Sequence, residues 1–156
     1  MVDKIVADES IGMLPLKGNW RYRPYDISQF TLPAGDERII LDLRRKGWVV
    51  AGFVFHSNQN MNLAIELETG TENYINTFST YELYNLGVVQ SQATGWWVSR
   101  YDTLSNVYNV MFSPAAWLPF YKRCKVTLQN KTALPAIVYR VGVLCIEFVT
   151  EEEATK

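Results

Sequence analysis

Histidine is scarce in this 156-residue chain, which carries only one. A zinc site needs several His, Cys or carboxylate ligands to converge, and His56 has no Cys-x-x-Cys or His-x-His partner. A Ser-His-Asp triad can be drawn from Ser57 or Ser99 with His56 and Asp102, but no Gly-x-Ser-x-Gly elbow supports it. We therefore predict that His56 is a hydrogen-bonded structural residue, that the chain needs no cofactor and that it is not an enzyme.

Cysteine is nearly as scarce, with two residues in the chain. Cys124 and Cys145 both lie inside apolar, strand-like runs, and cysteine is among the most buried residue types. We predict two free, buried thiols. A disulfide is the alternative if the two strands are neighbours, so the cysteine count does not define the compartment.

Long apolar runs are absent as well. No stretch approaches the ~20 residues that a membrane-spanning helix needs. Residues 1–20 show no basic segment followed by an apolar one, so we expect no signal peptide and synthesis in the cytoplasm. The glycosylation pattern at Asn130-Lys131-Thr132 is then expected to be fortuitous.

Excess charge of either sign is also lacking, because the formal net charge is −1. General nucleic-acid binders usually show a strongly basic domain or face. Two basic clusters, 44–46 and 122–125, are expected to be polar turns or strand edges. Together with Arg21 and Arg23 they could line a surface that faces nucleic acid, and we keep weak binding of this kind as a hypothesis.

Apolar strand-like runs are what the chain has in abundance. A half-buried strand alternates apolar and polar residues, because successive side chains point to opposite faces. The runs Trp48–Phe55 and Ile137–Phe148 break this rule, since almost every residue in them is apolar. We predict that one face of each strand meets the core and that the other is covered by another molecule.

Eight strands are predicted, separated by clusters of turn-forming residues. They cover residues 25–32, 37–43, 48–57, 61–68, 95–101, 106–112, 123–130 and 136–148. Ser79 and Glu82 have the spacing of a capping box, which predicts a short helix over 80–86 that ends at Gly87, within a polar loop over 69–94.

This pattern predicts an all-β fold, an eight-stranded antiparallel jelly-roll sandwich with one short helix in a mid-chain loop. An immunoglobulin-like sandwich is the nearest alternative, and the inserted helix favours the jelly roll. Residues 1–24 are predicted to form an extended N-terminal arm, or else a loosely ordered terminus. Residues 25–149 form the jelly-roll domain, and residues 150–156 are an acidic tail.

Glu66 and Glu68 point to the same face of one predicted strand, about 6.5–7 Å apart at strand rise. This spacing is near the ~6.5–9.5 Å of the two carboxylates in inverting glycosidases. Such pairs normally come from different elements that flank a cleft. We therefore expect both residues to be solvated surface groups.

Aromatic residues are the candidates for an interface or a sugar-stacking site. Adjacent residues of a strand face opposite sides, so one of Trp96 and Trp97 must point away from the core. Exposed aromatics mark sugar platforms or anchors for a protein partner, unless the loops fold back and cap the sandwich. The candidates are Trp20, Trp96, Trp97, Trp117, Phe120 and Tyr121.

The order of several segments resembles single jelly-roll virion proteins, namely capsid, spike or tail-associated proteins of bacterial and archaeal viruses. The resemblance covers about residues 25–149 and is carried by Leu32-Pro33-Ala34-Gly35, Asn85-Leu86-Gly87, Phe112-Ser113-Pro114 with Pro119-Phe120, and Val126-Thr127-Leu128-Gln129-Asn130.

This resemblance implies a non-enzymatic building block of the virion, with copies of itself and other virion proteins as partners and with its arm clasping a neighbour. It carries over no catalytic residue. The near-neutral charge departs from capsid proteins that have basic arms. The alternative is a carbohydrate- or receptor-binding jelly roll that uses Trp96 or Trp97, Trp117 and Tyr121 as stacking platforms.

Overall fold

The computed structural model describes residues 20–68, 73–88, 96–112 and 118–150. Within them the chain forms eleven strands and one short helix. The elements are β1 (Trp20–Ile27), β2 (Phe30–Leu32), β3 (Glu37–Leu43), β4 (Gly47–His56), β5 (Asn62–Glu68), β6 (Asn73–Ser79), α1 (Thr80–Asn85), β7 (Trp96–Asp102), β8 (Val107–Phe112), β9 (Leu118–Phe120), β10 (Arg123–Gln129) and β11 (Ala136–Phe148).

The strands form two antiparallel sheets packed face to face. The larger sheet has the order β1-β11-β4-β8-β7, with the short strands β2 and β9 paired to β11 and β4, and the smaller sheet has the order β3-β10-β5-β6. Without β2, β7 and β9, two sheets of four strands remain, and the chain passes repeatedly between them. This is the jelly-roll arrangement. The predicted all-β sandwich is confirmed, with eleven strands rather than eight.

The core lies between the inner faces of the two sheets. Strand β8 alternates half-buried and buried residues, and its Tyr108, Val110 and Phe112 point inward. The smaller sheet contributes residues such as Ile65 and Leu128 to the same cluster. Period-two alternation therefore specifies the inner face of β8, whereas the runs of buried residues in β4 and β11 do not show it.

Helix α1 begins where the capping box predicts. The Ser79 side chain accepts a hydrogen bond from the Glu82 amide, and the Glu82 carboxylate accepts one from the Ser79 amide at 2.7 Å. The chain leaves the helix through Gly87, whose φ is 74°. This helix, the one present in the described ranges, is not long and apolar enough to cross a membrane.

Two segments differ from the prediction. Strand β6 lies in the segment predicted to be a polar loop, and it pairs with β5 along its whole length. Strand β1 begins at Trp20, within the segment predicted to be an arm, and pairs with the end of β11. Residues 1–19 of the predicted arm and residues 151–156 of the predicted tail lie outside the described residues.

The two cysteines come from different sheets, Cys124 from β10 and Cys145 from β11. Both are buried and both are free thiols. A hydrogen bond with Cys145, together with burial, raises the pKa of the Cys124 thiol. The pair therefore packs as two neutral thiols in the core.

Candidate functional site

The polar residues considered for catalysis do not converge. His56 ends β4 in a buried position, with its Nε2 atom 2.8 Å from the Thr80 hydroxyl, so the predicted hydrogen bond is present. Burial lowers the pKa of His56 to about 4. The Ser57 hydroxyl accepts a hydrogen bond from the Ile137 amide of β11, and the Asp102 carboxylate accepts one from the Leu104 amide in its own turn. In the described ranges no group of three or more His, Cys, Asp or Glu is placed to hold a metal ion.

The outer face of the smaller sheet is mainly charged, with one exposed apolar residue on each edge strand, Ile39 on β3 and Ile75 on β6. Arg123 on β10 makes two hydrogen bonds, of 2.7 and 2.8 Å, to the carboxylate of Asp42 on β3. Lys125 lies 3.6 Å from Glu66 on β5. Side chains of opposite charge on neighbouring strands stabilise a sheet. This geometry places Glu66 in an ion pair on a solvated surface, as the sequence predicts.

The outer face of the larger sheet has the opposite character. The strand registers place five residues side by side across it, one each from β1, β11, β4, β8 and β7: Asp26, Gly142, Phe53, Met111 and Trp97. A neighbouring row contains Pro24, Leu144 and Ala51. We call the seven residues other than Asp26 the apolar face. A shallow groove of about 510 Å³ runs along it.

Few charged residues lie on the outer face of the larger sheet. Arg140 lines the groove and makes hydrogen bonds of 3.0 and 2.6 Å to the carboxylate of Asp26, which holds the pKa of Asp26 below its ordinary value. Phe53, Met111 and Trp97 are half-buried. The two sheets therefore present different chemistry to their surroundings.

The predicted aromatic candidates are dispersed. Trp20 packs against Trp48 and Phe148, with ring centroids 5.5 and 5.1 Å apart. Tyr121 is 52% exposed. Trp97 belongs to the apolar face, whereas its neighbour Trp96 packs in the core.

Phe120 is also buried in the core, so neither its ring nor that of Trp96 is available to a partner. Trp117 lies outside the described residues. Within the described part of the chain, the candidates do not form one stacking platform.

The end of the sandwich where β4 begins is basic. Glu147 is 0% exposed and has three arginines around it, with Arg21, Arg23 and Arg45 nitrogens 3.9, 3.9 and 3.5 Å from its Oε2 atom. The Tyr25 hydroxyl also donates a hydrogen bond to Glu147. Burial and this hydrogen bond raise the pKa of Tyr25.

A cleft of about 480 Å³ at the same end is lined by Arg44, Arg45, Lys46 and Lys122, among other residues. The fold thus brings part of the two basic clusters together at one end. Arg123 and Lys125 of the second cluster do not join them, because both pair with acids on the smaller sheet.

The opposite end of the sandwich, where β4 ends, carries an uncharged groove. We call it the amide groove; it is lined by Ser57, Asn58, Gln59, Asn60, Ser105, Asn106, Tyr108, Leu134, Pro135, Ile137 and Tyr139. Its volume is about 530 Å³. The sequence indicates only tight polar turns at these positions, because the three loops that build the groove are distant along the chain.

No protein-family model matches the chain, and no curated protein matches its sequence. Among solved structures, it is similar to a VP2 subviral particle of infectious bursal disease virus, with a TM-score of 0.22 and 12% identity over 87% of this chain and 43% of that one. Derived T=1 particles of the same virus give a TM-score of 0.19 and 13% identity over 87% and 42%.

The chain therefore spans less than half the length of the virus chains that it resembles. TM-scores this low carry no argument, so the fold assignment rests on the strand order described above. Neither particle comes from a bacterial or archaeal virus, so that origin stays a prediction.

Proposed function

We propose that this chain is a non-enzymatic structural subunit of a virus particle, a jelly roll that associates with copies of itself and with other virion proteins in a capsid or a virion appendage. Jelly rolls of two four-stranded sheets are a common architecture of virus coats, and also of lectins. The observation that carries the proposal is the contrast between the apolar face and the charged outer face of the smaller sheet.

The apolar face is contiguous across the larger sheet. Its seven positions, spaced ~4.8 Å between strands and ~6.8 Å between alternate residues of a strand, cover roughly 230 Å². Contiguous apolar patches of a few hundred Å² on water-exposed proteins are often functional. A face of this kind is expected to be covered in the functional assembly.

A second copy of the chain is the occupant that fits best. In a two-fold contact the same patch meets itself, so it must be self-complementary. The apolar residues meet this condition. The Asp26–Arg140 pair carries both signs of charge at the groove, so that Asp26 of one copy can approach Arg140 of the other.

Light scattering of the purified chain between micromolar and millimolar concentration tests this proposal, with wild type expected to form oligomers. Phe53→Asp places a charge in the middle of the apolar face and should yield monomers. Thr77→Asp is the matched control, because Thr77 is exposed on β6 of the other sheet. A wild-type chain that stays monomeric throughout would refute the proposal, whereas shells, rings or fibres in negative-stain images would support it.

The remaining parts of this proposal concern the termini and the location. Of the predicted arm over residues 1–24, residues 20–24 pair with β11 of the same chain, so residues 1–19 would act as the arm on a neighbouring copy. The protein would reside in the virion after synthesis in the host cytoplasm. Weak contact with nucleic acid would use the basic cleft. Salt-dependent retention on heparin that is lost in Lys46→Gln/Lys122→Gln would support nucleic-acid contact. A lack of retention at low salt would refute it.

A carbohydrate- or receptor-binding module is the second candidate function. The aromatic side chains that suggested it do not form a platform in the described structure. The observation that favours it is instead the amide groove, at the end of the sandwich away from the basic cleft.

A further inference from the structure

We infer that the amide groove is a binding site for a neutral saccharide. This inference gives a ligand class and a location to the second candidate function and does not depend on self-association. The volume of the groove, about 530 Å³, lies within the ~300–1,000 Å³ of most ligand pockets. A groove of this size accommodates one or two sugar rings.

The lining of the groove sets the class of ligand. None of its eleven lining residues is Asp, Glu, Lys or Arg, so it offers no oppositely charged side chain to a phosphate, sulfate or carboxylate. Sugar hydroxyls donate and accept hydrogen bonds at once, and Asn, Gln, Ser and Tyr side chains do the same. The lining therefore complements a neutral polyol better than an acidic one.

Asn58 holds the loops of the groove in place and does not itself contact the ligand. Its side-chain amide donates to the Thr132 hydroxyl at 2.8 Å, and its side-chain carbonyl accepts from the Asn60 amide at 3.1 Å. The first bond connects the turn after β4 to the loop before β11, and the second lies within that turn. A site held rigid before binding loses less conformational entropy when the ligand arrives.

The binding groups are the neighbouring amides. Gln59 accepts a hydrogen bond from the Tyr101 hydroxyl, which orients its side chain and leaves its NH₂ group to donate. Asn60 and Asn106 are exposed and line the groove with side-chain amides. The backbone at Asn106 has φ of 52°, a left-handed conformation that Asn tolerates better than most residues.

One side of the groove is apolar, as the C–H face of a sugar ring requires. The Tyr139 ring is held against Phe55, with centroids 5.0 Å apart, and Leu134 is 70% exposed at the rim. Aromatic rings with a polar tip combine a stacking surface with a hydrogen-bonding group. Surfaces rich in Tyr, Asn and Ser are typical of recognition sites that use rigid rings and adaptable polar contacts.

The experiment is a glycan array that presents neutral oligosaccharides beside sialylated and sulfated ones, probed with the full-length chain. Calorimetric titration of the strongest neutral binder then compares wild type with Asn60→Ala/Asn106→Gly, which removes two amides and keeps the left-handed turn. We expect affinity to fall by about tenfold or more, as for the loss of two direct hydrogen bonds. The matched control is Asn73→Ala, an exposed amide on β6 that should change nothing.

Three outcomes would overturn the inference: no neutral glycan is bound, only acidic glycans are bound, or affinity is unchanged in the folded double variant. Light scattering separates this result from the assembly proposal. The groove variant should associate like wild type, and Phe53→Asp should keep the calorimetric affinity for the same glycan. Circular dichroism establishes that each variant is folded.

Discussion

The ring of Phe53 on β4 covers Gly142 on β11, its partner in cross-strand register. A Cβ atom on Gly142 would lie 2.6 Å from Phe53 Cε1, closer than real Cβ contacts come. The absence of a side chain at position 142 is therefore what lets the aromatic ring lie against the sheet. This pair sits at the centre of the apolar face, in the row between Asp26 and Met111.

Gly142→Ala should move the ring without unfolding the protein. The obstructing atoms are the free end of a half-buried surface side chain, which can swing aside, and alanine is the better strand former by about 0.5–1 kcal/mol. We expect the free energy of unfolding in urea to change by less than about 1 kcal/mol, while self-association weakens in light scattering. Unchanged association would contradict this role for Phe53.

Gly47→Ala is the contrasting substitution. There a Cβ atom would lie 2.3 Å from the backbone oxygen of Ile146 and 2.7 Å from Phe120 Cζ, in a buried position. Backbone in a paired strand cannot move aside, so we expect a loss of about 2 kcal/mol or more, at the upper part of the overpacking range. Urea unfolding of both alanine variants would test whether Gly47→Ala lowers the free energy of unfolding more than Gly142→Ala does.

Glu147→Gln should destabilise the fold substantially. The carboxylate is 0% exposed and is the shared acidic partner of Arg21, Arg23 and Arg45. Breaking a buried ion pair by removing one partner costs about 3–5 kcal/mol. The arginines are partly exposed and can turn to water, so we expect the lower end of this range, about 3 kcal/mol, in chemical denaturation.

High salt gives a second measurement of the same site. Screening by 1 M salt should reduce the difference between Glu147→Gln and wild type, since the arginines are within reach of solvent ions. Arg100→Gln is a suitable control, because Arg100 is exposed and its ion pair with Asp102 is on the surface. A Glu147→Gln protein as stable as this control would show that the cluster contributes nothing.

Acid should destabilise the protein through His56. Its pKa is about 4 when folded and buried, against 6.5 ordinarily, so between these values the unfolded chain binds a proton that the folded one does not. Stability therefore falls as pH drops from about 6.5 to 4, by up to about 3 kcal/mol. Arginines lower the pKa values of Asp26 and Asp42, so protonation of these two residues reduces stability only below about pH 3.8.

His56→Gln provides the check, because glutamine can still bond to Thr80 but does not titrate. Thermal or urea unfolding as a function of pH should show a slope between pH 6.5 and 4 for wild type and a flatter curve for the variant. Equal slopes in the two proteins would assign the acid sensitivity to other groups.

The fold could largely be predicted because its central strands carry local signals. Short stretches of sequence are enough to recognise the alternation of β5, the apolar runs of β4 and β11, and the capping box at Ser79. Strand β6 was not predicted. Its Ile75 and Thr77 are exposed, its Asn76 is polar and its Phe78 packs in the core, so the strand lacks the usual alternation of apolar and polar residues.

The candidate sites were less predictable because they depend on contacts between distant residues. Arg45 and Glu147 meet across 102 positions of sequence, and nothing near Glu147 in the chain indicates an arginine cluster. The amide groove likewise joins three separate loops. Trp96 and Phe120 were predicted as interface candidates because they are aromatic, but both pack in the core.

Asn130 provides the last prediction, since its side chain ties together the loops at the amide-groove end. It is 0% exposed, and its Nδ2 atom lies 3.1, 3.1 and 2.8 Å from the carbonyl oxygens of Leu32, Pro33 and Leu134. Its Oδ1 atom accepts from the Thr132 hydroxyl at 2.7 Å. The nitrogen that a glycan would modify is thus hydrogen-bonded inside the fold.

Asn130→Ala should cost about 3 kcal/mol in the free energy of unfolding, because buried carbonyl groups lose their donor at about 1–3 kcal/mol each and only part of them can find water. Asn130→Asp should cost more, since it turns a carboxylate towards three carbonyl oxygens. Asn73→Ala, at an exposed amide, should change stability by less than about 0.5 kcal/mol. If Asp were tolerated as well as Ala, the Nδ2 atom would not be the group that holds these loops. The claim that Asn130 supports the amide groove would then be wrong.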